Sequence, residues 1–480
     1  MSSLSAAEIR ARLPHPVIDS DGHVLEFIPA VRDEIESLAG REVAAAWDGV
    51  LGVWKRARAM SAAEKRAQGL FRMTWWGFPA RNTDDRAMAI LPELLHARLP
   101  ELGIDYAVLY PTYGLGTLNI DVDELRRASV RAFNRNAAST TEGLRDRLCP
   151  VAMIPMHTPE EAVAELEHCV RELGFRAVLL AGHVARPAPI PNPPRTARWI
   201  DTLGLDSLYD YDPVWAKCEE LGVSPTFHSS AMGWNGRASP SSYVLNHLGN
   251  FAAAGEATCR ALFLNGVTRR FPRLRMAFLE GGVAWACQLY SDLIGHFEKR
   301  GGGRVQAYDP REIDRVRMRE LFERHAPASF RRHAAELDAV LHLLAEPDED
   351  PAGLDEFARC EIDGPEQIRE LFAEPFLFGC EADDPMNSLA FDRARNPFGA
   401  KLKALWGSDM GHWDVPDCAS VLHETVEQVE RGLLSEAQLR DFVFVNPIDL
   451  WTAGNRDFFR GTSVEDAVAK EIGGDAGSDV

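Results

Sequence analysis

A short run near the start of the chain, Asp19-Ser20-Asp21-Gly22-His23, carries side chains that can bind a metal ion. Because side chains alternate along a strand, Asp21 and His23 would present an oxygen and a nitrogen on the same face. Gly22 would let the backbone approach the site closely. The triplet D-x-H is common by chance, and the alternative interpretation is a surface turn with a solvated aspartate and a hydrogen-bonded histidine.

Three later β-rich runs also end in residues that bind metals or accept protons, namely His228 (PTFHSS), Glu280 (AFLEGG) and Asp409 (WGSDMGHWD). Parallel barrels place their catalytic groups at the carboxyl ends of strands. We therefore predict one divalent cation with the ligands Asp21, His23, His228 and Asp409. Mixed imidazole and carboxylate ligands favour zinc, with manganese or iron left open. The alternatives are a core histidine, a helix-capping aspartate and, for Glu280, an ion-paired carboxylate that supports a ligand.

Eight β-rich runs separated by helical or loop segments would position these residues. This pattern predicts parallel βα units, and the count fits a closed (β/α)₈ TIM barrel of the α/β class better than an open sheet. The predicted strands are His15 to Val24, Ile104 to Pro111, Cys149 to Met156, Phe175 to Ala181, Val223 to His228, Leu274 to Glu280, Pro375 to Cys380 and Ala404 to Asp409. Helices are predicted to begin at Thr158-Pro159 and to end at Gly222.

The spacing predicts one barrel domain over residues 1–461, with two insertions on the loops. The first, residues 30–100, contains Trp47, Trp54, Trp75 and Trp76, and we expect it to form a lid or a wall of the substrate pocket. The second, residues 301–373, reads as a charged helical excursion and a candidate oligomer contact. Residues 462–480 end in Gly, Asp and Ser and are expected to form a flexible tail.

The composition excludes several classes of protein. Lys and Arg number 52 against 72 Asp and Glu, a formal net charge of −20, which disfavours nucleic acid as a partner. The 8 cysteines never form a C-x-x-C pair and indicate reduced thiols. No signal-like segment or apolar run of membrane-spanning length occurs, so we expect a cytoplasmic protein without a membrane partner.

The order of the motifs resembles the amidohydrolase-related family that includes aminocarboxymuconate-semialdehyde decarboxylase. It is carried by D-x-D-G-H-V-x-E at the start, F-H-S after strand five, R-F-P-R-L-R-x-A-F-x-E-G-G in the middle and W-G-S-D-x-x-H near the end. The resemblance implies a TIM barrel, one divalent metal, a small-molecule substrate and a homodimer. It also implies that Asp21 and His23 match the first-strand ligand pair, His228 the strand-five ligand and Asp409 the strand-eight ligand.

The chain departs from the familiar decarboxylases of that family at two places. They carry His-x-His or Glu-x-His in strand one, and a histidine in strand six where this chain has Glu280. We expect His247 to supply the missing imidazole. Glu26 is interpreted equally well as support for the site or as a helix-start acid. His183 and His412 are expected to shape the pocket or lie at its surface rather than bind metal.

These roles predict a metal-dependent hydrolase acting on a small carbonyl-containing compound, namely an amide, a lactone or a C–C bond next to a carbonyl. Asp409 or Glu280 would accept a proton from the activated water, and His247 would stabilise the developing oxyanion. One alternative is a non-oxidative decarboxylase of an aromatic or unsaturated carboxylic acid. The other is a catalytically silent barrel with a binding role.

Overall fold

The computed structural model describes residues 4–72, 78–194, 197–228, 239–341, 353–412 and 414–475. Eight strands in these ranges form one sheet in chain order, and each pairs in parallel with the next. They are β1 (Ile18–Val24), β2 (Tyr106–Pro111), β3 (Leu148–Ile154), β4 (Ala177–Leu180), β5 (Pro225–Phe227), β6 (Met276–Phe278), β7 (Phe376–Glu381) and β8 (Lys403–Gly407). With helices around the sheet, the predicted TIM barrel is confirmed.

Apolar residues fill the strands because both faces of a barrel strand are covered. Every residue of β2 and β3 is buried, as expected when helices pack outside a parallel sheet and side chains fill its interior. Between the sheet and the helices, the Phe227 and Phe278 rings stack at 5.1 Å and Phe278 stacks on Phe378 at 6.3 Å, with the helix residues Trp215 and Trp285 packed against them. This aromatic layer supports the strand ends from which the polar side chains project.

The first and last strands meet at a seam of the barrel. The backbone N–H of Asp409 donates to the carbonyl of Asp21 at 2.9 Å, and the N–H of His23 donates to the carbonyl of Met410 at 3.1 Å. Both bonds lie just beyond the end of β8, in the segment that carries a predicted ligand. These two hydrogen bonds therefore hold the segment that follows β8 against β1 at the mouth of the barrel.

Helices connect the strands, and their ends follow the capping residues in the sequence. Thr158 accepts a hydrogen bond from the Glu161 N–H at 3.2 Å, and Gly222 ends its helix in a left-handed conformation (φ 68°), so both predicted boundaries are confirmed. The α-helices in the described ranges are α1 (Ala6–Arg12), α2 (Ile28–Ala59), α3 (Ala62–Ala67), α4 (Thr83–Met88), α5 (Pro92–Arg98), α6 (Asp123–Thr140), α7 (Pro159–Glu167), α8 (Asp212–Leu221), α9 (Tyr243–His247), α10 (Asn250–Leu264), α11 (Val267–Arg270), α12 (Ala284–Arg300), α13 (Arg315–His325), α14 (Ala328–Arg331), α15 (Leu337–Leu341), α16 (Glu366–Phe372), α17 (Val421–Glu430), α18 (Glu436–Arg440), α19 (Asn446–Thr452) and α20 (Glu465–Asp475). None of them is long and apolar enough to cross a membrane.

The insertion after β1 is largely helical and spans α2 to α5. Trp47, expected in a lid or pocket wall, is 2% exposed and packs edge-on against Phe133 of α6 at 6.0 Å. It therefore belongs to the core between α2 and α6. Trp75 and Trp76 lie outside the described residues, as does the side chain of Trp54.

The insertion between β6 and β7 forms short charged helices. Arg315 and Arg319 of α13 both pair with Asp338 of α15, at 3.2 and 2.6 Å. Exposed pairs of this kind contribute little stability each. The segment has the helical, charged character that the sequence predicts for it, and its role as an oligomer contact stays a prediction.

The start of the expected flexible tail is ordered. Residues Glu465–Asp475 form α20, and Val464 and Val468 are buried at 1% and 3% exposure. The Ser463 N–H also donates to the Asp146 carbonyl at 2.8 Å. The prediction of a flexible tail from residue 462 is wrong for this part, because two valines spaced four apart share one helix face and bury it against the barrel.

Candidate metal centre

Acidic and imidazole side chains converge at the mouth of the barrel, where the carboxyl ends of the strands meet. They come from β1, from the residues that follow β5, β6 and β8, and from the end of β7. The set consists of Asp21, His23, His228, Glu280, Glu381, Asp409, His412 and Asp414. All four residues predicted as metal ligands belong to it.

The predicted ligands lie within a few ångströms of one another. His23 Nε2 is 3.2 Å from His228 Nε2, 3.5 Å from Asp21 Oδ1 and 3.2 Å from Asp409 Oδ1. His228 Nε2 is 3.9 Å from the same Asp21 oxygen. One nitrogen or oxygen of each of Asp21, His23 and His228 fits within 4.8 Å of the others. Positions nearly 400 residues apart in the chain thus share one buried site.

Glu280 and Asp409 reach the site through unusual backbone conformations. Both lie two residues beyond their strands and have positive φ angles, 57° and 47°. Such angles are uncommon for residues with a side chain and cost of order 1 kcal/mol or more. The conformation places Glu280 Oε2 2.9 Å from His228 Nε2. The free-energy cost of these two backbone conformations indicates that the carboxylates are needed at their observed positions.

His412 belongs to the site, although the sequence argument placed it at the edge of the pocket. Its ring stacks on His23 with centroids 3.5 Å apart, and its Nδ1 lies 2.7 Å from Asp409 Oδ1. A tight turn, closed by the His412 N–H donating to the Asp409 carbonyl at 3.1 Å, folds the residue back over the strand end. The spacing D-x-x-H was a signal for this residue.

Glu381 and Asp414 were not considered in the sequence argument. Glu381 directly follows Cys380, where the predicted seventh strand stopped one residue early. Asp414 is the last residue of the motif WGSDMGHWD and lies in the loop after β8. An oxygen of each lies within 4.8 Å of oxygens from Glu280 and Asp409.

His247 was expected to replace the strand-six imidazole, but the Phe251 ring lies between it and His228. Its ring stacks on Tyr243 at 5.2 Å and meets Phe251 edge-on at 5.5 Å, and Phe251 in turn lies 5.9 Å from the His228 ring. Among the described residues, it joins none of the groups close enough to share a metal ion. The imidazole next to Asp409 is that of His412.

The cluster carries a large excess of acid. Five carboxyl groups face three imidazoles, and no Lys or Arg in the described residues forms an ion pair with any of the five. Burial, together with neighbouring acids, raises the pKa of Asp21 and of Asp409 well above the usual range. Burial alone would lower the pKa of His228, but the Glu280 carboxylate outweighs it and raises that pKa to about 9.

A divalent cation fits this arrangement. Asp21 Oδ1 and Asp409 Oδ2 are buried and accept no hydrogen bond from a described residue. Leaving buried carboxylate oxygens without a partner costs free energy, and a cation would remove that cost. Two imidazoles and two carboxylates form a donor set that binds zinc, manganese or iron in other proteins. The residues present therefore match the chemistry of the predicted metal.

Asp19 lies two residues before Asp21 on β1. Its side chain links β1 to the segment after β8 that carries Asp409. Its carboxylate accepts the Ser408 N–H at 3.0 Å, the Ser408 hydroxyl at 2.6 Å and the Asp21 N–H at 3.2 Å. The two bonds from Ser408 span the seam between β1 and β8. They hold the backbone from which Asp21 and Asp409 project.

We expect Asp19→Ala to destabilise the protein by about 2 to 4 kcal/mol, because three buried donors lose their acceptor. The measurement is the midpoint of urea unfolding of the metal-free protein. Asp19→Asn is the matched control and should lose much less, since its amide oxygen still accepts the two N–H groups. Equal stability of the alanine variant and the wild type would show that the bonds across the seam contribute nothing.

Glu26 supports the loop after β2 rather than the metal centre. Its carboxylate accepts the backbone N–H groups of Thr112, Tyr113 and Gly114 at 3.2, 2.8 and 3.1 Å. A Cβ on Gly114 would lie 2.9 Å from Glu26 Oε1, so glycine is needed there. Burial nevertheless raises the pKa of Glu26 from 4.5 to about 7, against the effect of these donors.

This raised pKa predicts a pH dependence of stability. Between about pH 4.5 and 7 the folded protein holds a proton on Glu26 that the unfolded chain has released, so stability should fall as pH rises through that window. The slope from one group is at most about 1.4 kcal/mol per pH unit. We expect the melting temperature of the wild type, relative to Glu26→Gln, to decrease from pH 5 to pH 8. A constant difference would contradict the assignment.

Comparison with known proteins agrees with the barrel and its motifs. The family model described as amidohydrolase matches residues 18–340, more than half of the chain. Two curated relatives are the decarboxylase orsB of Emericella nidulans, 31% identical over 157 residues, and the 2-amino-3-carboxymuconate-6-semialdehyde decarboxylase of Dictyostelium discoideum, 25% identical over 150 residues. The matches cover 30% and 31% of this chain, and 42% and 36% of those proteins.

Among solved structures, an amidohydrolase of Mycobacterium avium subsp. paratuberculosis matches 92% of this chain and 100% of its own, with a TM-score of 0.51 and 20% identity. At that identity the likeness concerns the fold. The family assignment rests on the matched model, which begins at the first residue of β1 and extends past β6. The chain belongs to the amidohydrolase family of enzymes, the family that its motifs resemble.

Proposed function

We propose that this protein is a metal-dependent hydrolase of a small carbonyl-containing compound, an amide, a lactone or a C–C bond next to a carbonyl. Asp21, His23, His228 and Asp409 would hold one divalent cation. The proposal rests on one observation, the group of buried carboxylates and imidazoles at the barrel mouth that no described Lys or Arg neutralises. Zinc stays the predicted ion, and a homodimer stays the predicted assembly.

A divalent cation bound there lowers the pKa of water towards neutrality and polarises a carbonyl. The chain's own residues then handle the proton. Glu280 lies 2.9 Å from His228 and Asp409 lies 3.2 Å from His23, and either carboxylate would accept the proton of the attacking water. His228 and His412 keep Glu280 ionised, because their charges lower its pKa well below the usual range although burial would raise it.

His412 is the imidazole best placed to return that proton to the leaving group. Its Nδ1 lies 2.7 Å from Asp409 Oδ1 and 3.8 Å from Glu280 Oε1, so it contacts both proposed acceptors. The Thr112 hydroxyl lies 3.3 Å from its other nitrogen and orients the ring. We therefore propose that His412, and not His247, is the imidazole that acts beside the metal, as a proton donor rather than as the oxyanion stabiliser predicted for His247.

The charge of the site favours a neutral or cationic substrate. Five carboxyl groups share the site with three imidazoles, and no described Lys or Arg pairs with them. An incoming carboxylate would meet Glu280, which the neighbouring imidazoles keep ionised, and like charges at 4 Å cost about 4 kcal/mol at an effective dielectric constant of 20. This argument supports hydrolysis over decarboxylation, whose substrate carries a carboxylate.

Decarboxylation of an aromatic or unsaturated acid is the second candidate, because both curated relatives are named decarboxylases. The chain spans less than half the length of each, so their activity is a proposal for this protein. The acid excess would then have to be met by protons or by further cations. The third interpretation, a silent barrel that only binds, would require that no metal-dependent turnover be found.

One experiment separates these candidates. Protein reloaded with zinc or manganese is assayed in H₂¹⁸O against lactones, amides, β-diketones and hydroxybenzoates, with mass spectrometry of the products and detection of CO₂. Hydrolysis predicts ¹⁸O in the product and activity that is lost on chelation. Release of CO₂ with no ¹⁸O in the organic product would establish the decarboxylase, and a protein that binds no metal and turns over none of these compounds would contradict both enzymatic proposals.

A further inference from the structure

The side chains of the metal centre are almost completely covered. Each is at most 6% exposed, and the six measured are those of Asp21, His23, His228, Glu280, Asp409 and His412. A substrate cannot reach donor atoms that lie this deep while the segments over the mouth keep their places. Entry therefore requires that one of these segments moves.

Several loops at the mouth are held by buried hydrogen bonds. Glu26 fixes the loop after β2 through three backbone N–H groups. The Leu25 N–H donates to the Ala89 carbonyl at 2.7 Å, which fixes the end of α4 to β1. Asp85 of α4 accepts the Cys418 N–H at 3.0 Å and joins the same helix to the segment after β8. Opening is therefore expected in another part of the rim.

The segment of residues 239–248, which includes α9, lies over the His228 side of the centre. Tyr243 of α9 is 6% exposed and stacks on His247. His247 meets Phe251, whose ring neighbours that of His228. Burial and the nearby carboxylate of Asp414 raise the pKa of Tyr243 above its usual range, so this ring lies on the same side as the acids. The segment is part of the cover.

Little apolar burial holds α9 in place. The helix has five residues, too few for a helix to be stable without packing. Val244, Leu245 and Leu248 are 58%, 51% and 62% exposed, so its outer face is not buried. Gly249, which joins it to α10, has a left-handed conformation (φ 67°) that glycine adopts without strain. Such a segment opens at a lower free energy than the barrel.

Asn246 joins this segment to the insertion after β1. It is 2% exposed, and its Nδ2 donates to the Arg72 carbonyl at 2.7 Å and to the Ser239 carbonyl at 2.9 Å. Its Oδ1 accepts the Ser239 N–H at 2.7 Å. Arg72 adds bonds from its N–H to Ser239 at 2.9 Å and from Nη1 to the Ser241 carbonyl at 3.1 Å. Because β1 and β5 lie on opposite sides of the eight-stranded barrel, this junction bridges its mouth.

We propose that residues 239–248 form a gate over the metal centre and that Asn246 keeps this gate closed. When the junction with Arg72 breaks, α9 turns about Gly249 and opens the His228 side of the site to solvent. Asn246 is a positioning residue, since it acts through the segment that it holds. The inference rests on the proposed metal site, because the gate controls access to that site.

The first test measures how fast a chelator in excess removes zinc from the zinc-loaded full-length protein. Asn246→Ala should release zinc about 10- to 100-fold faster than the wild type, because the loss of its buried hydrogen bonds raises the open population. The zinc bound at equilibrium should stay the same. Arg72→Gln, which removes only the bond to Ser241, should have a smaller effect in the same direction.

Asn446→Ala is the matched control. Asn446 is also buried, and its Nδ2 donates to the Ala404 carbonyl at 2.7 Å, near the start of β8 and away from the mouth. This variant should lose stability without a change in the rate of zinc release. Equal acceleration in Asn446→Ala and Asn246→Ala would overturn the gate, because general destabilisation would then explain both.

Hydrogen exchange of the metal-free protein, followed by mass spectrometry, tests the gate without the metal. Residues 239–248 should exchange faster in Asn246→Ala than in the wild type, while the β2 peptide keeps its protection. Exchange and zinc release at wild-type rates would overturn the gate, as would a loss of protection throughout the barrel. A protein that binds no zinc would contradict the proposed function, and the exchange measurement would still decide whether Asn246 holds this segment closed.

Discussion

Replacing His228 with alanine is expected to abolish tight binding at the proposed metal site and to lower kcat/KM by about 1000-fold or more, roughly 4 kcal/mol of transition-state stabilisation. His228 is 1% exposed, and its Nε2 lies within 4 Å of His23, Asp21 and Glu280. Alanine offers no ligand atom in place of the imidazole. The measurements are metal content after dialysis and turnover of the substrate found in the ¹⁸O assay.

His247→Ala is the matched control for this variant. Both histidines contact Phe251, at 5.9 Å for His228 and 5.5 Å for His247, so both substitutions remove a ring from the same packed layer. We expect His247→Ala to retain its metal. A His228→Ala protein with unchanged metal content and turnover would refute the proposed ligand set. Loss of metal in His247→Ala alone would instead indicate that His247 is needed for metal binding.

Glu280→Gln is expected to lower kcat by about 100- to 1000-fold while the metal remains bound. Glutamine has nearly the same size as glutamate but cannot take a proton from water. Because Glu280 is not among the proposed metal ligands, KM should change far less than kcat. Counting the metal ions in the same sample shows whether the lower kcat comes from loss of the base or from loss of metal.

Glu280→Asp provides the rescue for that variant. It retains a carboxylate on a shorter stem, so part of the activity should return. If glutamine and aspartate variants were equally impaired, position would matter more than charge. If the glutamine variant kept full kcat, Asp409 would be the sole proton acceptor.

The fold could be predicted from the sequence because each strand is a short apolar run between helical segments. Each of the eight predicted runs overlaps one strand of the barrel. Their ends were less accurate, since the observed strand within Leu274 to Glu280 covers only Met276–Phe278. A small antiparallel hairpin, Val184–Pro187 with Arg198–Asp201, was not predicted. Its residues pair with each other and not with the barrel, so no periodic pattern marks them as part of the sheet.

The site was predicted where ligand-type residues end strands and missed where the chain turns. Asp21, His23, His228 and Asp409 follow from strand ends alone, and the structure brings them together. His412 was set aside because it lies beyond the strand. Only the turn closed on the Asp409 carbonyl brings its ring onto His23. Sequence spacing gives distance along the chain, and such a turn shortens the distance in space.

The roles of Glu280 and Glu381 depended on details that sequence cannot supply. Glu381 was lost through a strand boundary misplaced by one residue. Glu280 reaches His228 through a positive φ angle, which is rare for glutamate and which no local pattern predicts. The correct statement from sequence was that an acid stands at this strand end. Which groups it faces required coordinates.

The seam between the first and last strands makes the centre a product of the whole chain. Asp21 and His23 are synthesised near the beginning of the chain and Asp409 near its end. Backbone hydrogen bonds of 2.9 Å (Asp409 to Asp21) and 3.1 Å (His23 to Met410) join the two segments. A ribosome must therefore release almost the entire polypeptide before the ligand set can assemble. A metal ion bound to residues on both sides of the seam would hold the first and last strands together. Metal binding would therefore become possible only when synthesis is nearly complete, and it would slow the separation of these two strands during unfolding.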